Sequence, residues 1–424
     1  MHSKRRWLTS ILLVAGLVGT SALGAGPQPA KADSVNLQFL GIYGSPSDSQ
    51  LKAAFKVYES THPGITISMS NVPGTGAATY PNALRTDIAG GKAPDIFFMW
   101  GGTLSGPFVD DGSALDLTPY YHKYNWNRIL QPAAVKLISR HGKVWGAPID
   151  LRAMTFYYRK DLFSKYGLQV PTTFAQFESV CATLKSHQIP CVTSGGVYGW
   201  YIMRVFDFFL EHTAGSALHD KLLAGATSWN IPQVVAAFSL LKKWTDNGWF
   251  PTGYMGINPS QGEQLFYQAK AAMMLEGDWM ISSNLANGVK ASQFGFFPAP
   301  TDQKPQRLEG FAEQWMISSQ SKHPAEAAEF LNWWIQPATQ SKYYNIIGST
   351  ATIGGLPSAA SNPLGVAYNQ MATKYPTYLV MDQAFPAEFM STTYFRLQSS
   401  VAAGSVSPQS AAQQMQQGVS QLTF

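Results

Sequence analysis

The stretch from Val35 to Met99 most constrains the fold, because its apolar spacing switches between strand and helix periods four times. Val35-Asn-Leu-Gln-Phe-Leu40 alternates with period two and runs into a Gly/Ser/Pro turn. Leu51, Ala54, Phe55 and Tyr58 then fall at i, i+3, i+4 and i+7, the spacing of an amphipathic helix. His62-Pro63-Gly64 ends that helix, and Ile65, Ile67 and Met69 alternate with Thr66, Ser68 and Ser70 as a second strand. A helix over 81–89 leads to Asp95-Ile-Phe-Phe-Met99, a run apolar enough to be buried on both faces. Strand, helix, strand, helix, strand implies a parallel sheet and an α/β lobe.

A second series of elements follows Gly142. Strands are expected over 143–149 and 154–158, then helices over 161–166 and 173–188, the latter with Phe174, Phe177, Cys181 and Leu184 on one face. Further helices are expected over 201–211, 232–247, 260–270 and 324–335, with strands over 271–275, 294–297 and 314–318. The Ser/Gln/Ala-rich tail keeps Ala412, Met415, Val419 and Leu422 at helical spacing, which predicts a docked terminal helix.

Compartment is read from the first residues. Lys4, Arg5 and Arg6 precede the apolar run Ile11-Leu-Leu-Val-Ala-Gly-Leu-Val18, and Ala30-Lys31-Ala32 has the A-x-A form of a cleavage site. Residues 1–32 are therefore expected to be a secretory signal, leaving a mature chain of 392 residues in the periplasm or outside the cell, without a lipid-anchoring cysteine at the cleavage site. That length exceeds what one hydrophobic core organises, so two domains are expected. Removing the leader also removes four basic residues. The formal +5 falls to 26 Lys and Arg against 25 Asp and Glu, which removes the charge argument for a nucleic-acid partner, since that would need a concentrated basic surface. Cys181 and Cys191 enclose nine residues. In an oxidising compartment they read as one disulfide, the alternative being two buried thiols.

Metalloprotease, nucleophile-elbow and Walker motifs are missing from the sequence, and no cofactor motif is read. Gly74-Thr-Gly76 lacks the third glycine of a dinucleotide loop, and Asp110-Asp111-Gly112 has the form of a solvated turn. Aromatic residues at turns are more informative. Tyr43 follows the first strand, Trp100 the third, Tyr198 and Trp200 sit in Gly195-Gly-Val-Tyr-Gly-Trp200, and Trp279 follows Glu276-Gly-Asp278. Ligands of open α/β sheets bind where strands end. A sugar's C–H faces pack on rings, and its hydroxyls pair with groups such as Asp150, Arg152, Asp278 and Glu313 near these turns.

Taken in order, several segments carry a family resemblance. They are Phe55-Lys-Val-Tyr-Glu59, Gly91-Lys-Ala-Pro-Asp-Ile96, Gly142-Lys-Val-Trp-Gly-Ala-Pro-Ile-Asp150, Phe156-Tyr-Tyr-Arg-Lys-Asp-Leu-Phe163, Pro171-Thr-Thr-Phe174, Lys270-Ala-Ala-Met-Met-Leu-Glu-Gly-Asp-Trp279 and Gly295-Phe-Phe-Pro298. The chain resembles the family 1 extracellular solute-binding proteins of ABC sugar importers, the group containing maltose-binding protein. That resemblance implies an α/β, two-lobed periplasmic-binding-protein fold of the type II-like kind, with a ligand cleft between lobes joined by a hinge. Crossings are expected near 147–152, 270–272 and 311–313, giving one lobe of 33–149 plus 272–311 and another of 150–271 plus 312–424. It further implies a monomer that binds a carbohydrate, closes about the hinge and delivers to membrane ABC permease subunits, without catalysis, cofactor or metal. Trp279 and then Trp200 would be the stacking rings, Asp150 and Arg152 would touch ligand from the hinge, and Gly355 in Gly354-Gly355-Leu-Pro357 would lie near the cleft. A binder of another solute, such as a phosphorylated polyol, or a secreted carbohydrate-active enzyme are the alternatives.

Overall fold

A computed structural model describes residues 34–72 and 79–422. The leader, Gly74-Thr-Gly76 and the last two residues lie outside the described residues. Among the described residues fourteen strands run in chain order: β1 (Val35–Gly41), β2 (Ile65–Asn71), β3 (Ile96–Trp100), β4 (Ser139–Arg140), β5 (Lys143–Val144), β6 (Gly146–Pro148), β7 (Arg152–Ala153), β8 (Thr155–Arg159), β9 (Val192–Thr193), β10 (Met273–Glu276), β11 (Phe294–Phe297), β12 (Leu308–Phe311), β13 (Glu313–Ile317) and β14 (Thr377–Leu379).

The opening alternation folds as its periods require. β1 pairs in parallel with both β2 and β3. Between them, helix Ser47–Thr61 buries Leu51, Ala54, Phe55 and Tyr58, and the chain leaves it through Gly64 at φ +94°. β3 is apolar on both faces because it is central: the sheet order is β2-β1-β3-β13-β6, with β13 antiparallel to β3. The second lobe holds two sheets, β11-β8-β10-β9 and β14-β12-β7, under long helices that include Phe174–Ser186, Trp200–Ala214 and Pro232–Asp246. Thr173 caps the first of these with a capping box to Gln176. Terminal helix Pro408–Val419 docks on this lobe through buried Ala412, Met415 and Val419, as its spacing predicts. Among the described residues no helix is long and apolar enough to cross a membrane.

Strand pairing allots the chain differently from the expected partition. Segment 272–311 belongs to the second lobe, because β10 and β11 both pair with β8 and bury Met273, Leu275 and Phe297 in its core. Segment 313–353 returns to the first lobe: β13 joins its sheet, and Phe330, Leu331 and Trp334 pack into the core built on Leu37 and Phe39. The chain therefore crosses at 149–151, at Ala312 and again over 354–362. Residues 270–272 do not cross, since Ala272 bonds Pro190 and Arg159, both in the second lobe. Cys181 and Cys191 form a disulfide with Cα atoms 4.9 Å apart, tying helix Phe174–Ser186 to the start of β9.

Candidate functional site

Two of the crossings meet at one guanidinium. Arg152 opens β7 directly after the first crossing and is 6% exposed. It lies 2.9 Å from Asp150, 3.0 Å from Glu313 at the start of β13, and bonds Asp278 of the second lobe. It also donates to the Ile347 carbonyl at 3.2 Å. Asp150 is fully buried and accepts from the Glu313 backbone N–H at 2.8 Å, which locks the first two crossings together. Burial pushes the Asp150 carboxyl well above the usual carboxylate range, against the pull of Arg152. Asp278 is raised for the same reason.

A second guanidinium stands on helix Trp200–Ala214. Arg204 follows Trp200 by one turn, so both reach the same wall. It bonds Glu276 at the end of β10, and its Nε stands 3.8 Å from Glu309 of β12. Its guanidinium carbon lies 4.6 Å from the Trp200 ring centre and 5.1 Å from that of Trp279. Arg152 lies 5.0 Å from the Trp279 ring centre as well, so two cations brace one indole. Burial pushes Glu309 up to about 8, with Arg204 opposing, and pushes Asp382 up to about 6 in the same way.

These groups surround a cavity of about 360 Å³ between the lobes. Tyr43 and Trp100 enter it from the ends of β1 and β3. Tyr43 is held by its hydroxyl, which accepts from Trp315 Nε1 at 2.8 Å, and Trp100 packs edge-on against Phe98 at 4.9 Å. Arg152, Phe311 and Glu313 supply the hinge side, and Trp200, Met203, Arg204, Trp279, Asp382 and Gln383 the second lobe. Beyond Trp279, Ser47 and Ile347 the space continues into a groove of about 760 Å³, lined by uncharged side chains such as Gln50, Ser282, Asn287 and Asn345. On the opposite side the lobes touch: Thr103 Oγ1 donates to the Phe385 carbonyl at 2.8 Å. Beside it Gly102 adopts φ +64°, and a Cβ there would stand 2.3 Å from the Gln383 carbonyl.

Six of the expected residues therefore meet in one cavity: Tyr43, Trp100, Arg152, Trp200, Trp279 and Glu313. Four do not line it. Asp150 and Asp278 are 0% and 4% exposed behind Arg152, whose charge they balance. Tyr198 faces a neighbouring recess that shares Asp382 with the cavity. Gly355 packs on Thr350 and Gln340, where a Cβ would stand 2.4 Å from the Thr350 hydroxyl oxygen. Arg204, Asp382 and Gln383 were missed. Arg204 was legible as the residue one turn after Trp200, whereas Asp382 and Gln383 sit on a four-residue helix, Met381–Ala384, with no periodic signal.

The profile of the bacterial extracellular solute-binding protein family matches residues 44–341. The chain is 23% identical over 377 residues to the multiple sugar-binding protein of Streptococcus mutans, covering 85% of this chain and 86% of that one. It is 26% identical over 226 residues to the sn-glycerol-3-phosphate-binding periplasmic protein of Shigella flexneri, covering 50% and 49%. Its fold matches the solved structure of a chitin oligosaccharide binding protein with a TM-score of 0.82 at 22% identity, over 92% of this chain and 98% of that chain. With a profile match over more than half its length and two lobes enclosing a cavity at their hinge, the chain belongs to the family of bacterial extracellular solute-binding proteins.

Proposed function

We propose that the protein is the extracytoplasmic binding component of an ABC importer, capturing a neutral carbohydrate of more than one unit by closing its lobes. The carrying observation is the cavity itself, where Trp100, Trp200 and Trp279 converge from both lobes beside polar side chains. Rings for C–H faces and fixed donors and acceptors for hydroxyls are what a saccharide needs. Ligand contacts on both walls favour the closed state, because only there are they made together. The uncharged groove beyond Trp279 supports an oligosaccharide, since it offers room for units past the first ring. We read the protein as an exported monomer that uses no cofactor, binds no nucleic acid and performs no catalysis.

A phosphorylated polyol is the competing ligand, given the glycerol-phosphate-binding relative. Charge argues against it. Arg152 already pairs with Asp150, Asp278 and Glu313, and Arg204 with Glu276, so a phosphate would meet carboxylates rather than free cations. A thermal-shift screen tests the reading: neutral oligosaccharides should raise the melting temperature, and sn-glycerol-3-phosphate should not. New reducing ends released from the oligosaccharides would instead indicate an enzyme.

A further inference from the structure

The second-lobe wall of the cavity carries an acceptor, the Gln383 Oε1, that no group among the described residues satisfies. Gln383 is 2% exposed and lines the cavity, yet its Oε1 has no hydrogen-bond partner among the described residues. Buried amide oxygens are seldom left so, because their lost hydration is not recovered. Asp382 beside it lines the same cavity. Arg204 Nε, also on this wall, is a buried donor without a hydrogen-bond partner among the described residues. The segment is not loose: the Met381 N–H donates to Asp207 Oδ2 at 3.1 Å, and Phe385 accepts from Thr103 of the other lobe. Its acceptors are thus held in place by the second lobe's own helix and by contact across the cleft.

We infer that Asp382 and Gln383 are the specificity-determining acceptors of the site, receiving two neighbouring hydroxyl donors of a neutral saccharide while Arg204 donates to an adjacent oxygen. This rests on the carbohydrate reading above and sharpens it. A ligand that places a carboxylate or phosphate against Asp382 and the Gln383 Oε1 is disfavoured, because its anionic oxygens cannot donate to these acceptors. The groups around Asp382 fit this role. Arg204 and Asp207 face it from helix Trp200–Ala214 and Glu309 from β12, while Glu276 binds Arg204, and Arg396 borders the recess that shares Asp382. Burial raises Asp382 to about 6 against the pull of Arg204, within reach of a binding experiment.

The test is calorimetry with maltotriose, xylotriose and triacetylchitotriose as neutral probes and digalacturonate as the acidic one, on wild type, Asp382→Asn and Gln383→Met. Both substitutions nearly conserve volume, and thermal melts confirm folding. The neutral probe that binds wild type should weaken about 10-fold or more in each variant. Wild-type affinity should also fall as pH drops below 6, since protonated Asp382 accepts less well, while Asp382→Asn shows a flat profile in that range. Digalacturonate should not bind wild type. Wild-type affinity in both folded variants, with the acid fall still present in Asp382→Asn, overturns this assignment alone. A wild type that binds no neutral probe overturns the carbohydrate reading and this inference with it.

Discussion

Replacing Arg152 with Met tests the ion cluster at the hinge most severely. Methionine keeps the length of the stem and removes one buried cation from among Asp150, Asp278 and Glu313. Breaking a buried ion pair from one side costs about 3–5 kcal/mol, because the partner stays buried and uncompensated. Here the partners have a way out, which is to take up protons. For a carboxylate with an ordinary pKa near 4, that route costs about 1.4 kcal/mol per pH unit, so about 5 kcal/mol at pH 8 and about 1.4 at pH 5. Asp150 and Asp278 already hold their protons more tightly than usual through burial, which eases that route for both. The loss in stability should be about 3–5 kcal/mol at pH 8 and fall to about 1–3 kcal/mol at pH 5. Urea unfolding at pH 5, 6.5 and 8, followed by tryptophan fluorescence, reads this as a midpoint shift that narrows toward acid. A shift of equal size at all three values, or a larger one at pH 5, would show that the carboxylates left behind do not relax by taking up protons.

Trp279→Ala removes a ring braced by Arg152 and Arg204 and should weaken saccharide binding by about 1–3 kcal/mol in calorimetry; unchanged affinity would take Trp279 out of the site. Gly102→Ala places a Cβ against the Gln383 carbonyl at positive φ, so it should hold the lobes apart, giving a larger radius of gyration by small-angle scattering and weaker binding. The double change Cys181→Ala and Cys191→Ala opens a loop of sequence separation 10 and should cost about 2–4 kcal/mol, seen as a lower melting temperature. Wild-type protein should melt higher near pH 5 than at pH 8. Burial raises Glu309 to about 8, Glu263 to about 7 and Asp382 to about 6, so the folded chain binds more protons than the unfolded one across that interval. Carboxyls held low by cations, such as Asp161 beside Arg159, reverse the trend only in stronger acid. A melting temperature that rises toward pH 8 would contradict this.

Local order was legible in the chain, and long-range pairing much less so. The spacing of Leu51, Ala54, Phe55 and Tyr58 identifies a buried helix face because that face depends only on neighbours within two turns. Which sheet a short apolar strand joins depends on partners far away. β10 and β13 look alike as isolated runs, yet one pairs with β8 and the other with β3, and the expected lobe boundaries failed at that point. Tyr43, Trp100, Trp200 and Trp279 were visible as rings at turns, and their convergence follows from the strand ends that carry them. Asp150 and Asp278 misled because a carboxylate near an arginine in sequence does not reveal whether it faces ligand or neutralises that arginine. Asp382 and Gln383 were out of reach, since they enter the cleft only through the return of the C-terminal segment and its contact with Thr103.

The most direct test of the central claim, capture of a neutral saccharide between the lobes, is isothermal titration of the purified protein with a panel of neutral oligosaccharides and with sn-glycerol-3-phosphate. At least one oligosaccharide should bind saturably with one-to-one stoichiometry, and the phosphate should give no heat of binding. Saturation by the phosphate with none by any saccharide would contradict that claim.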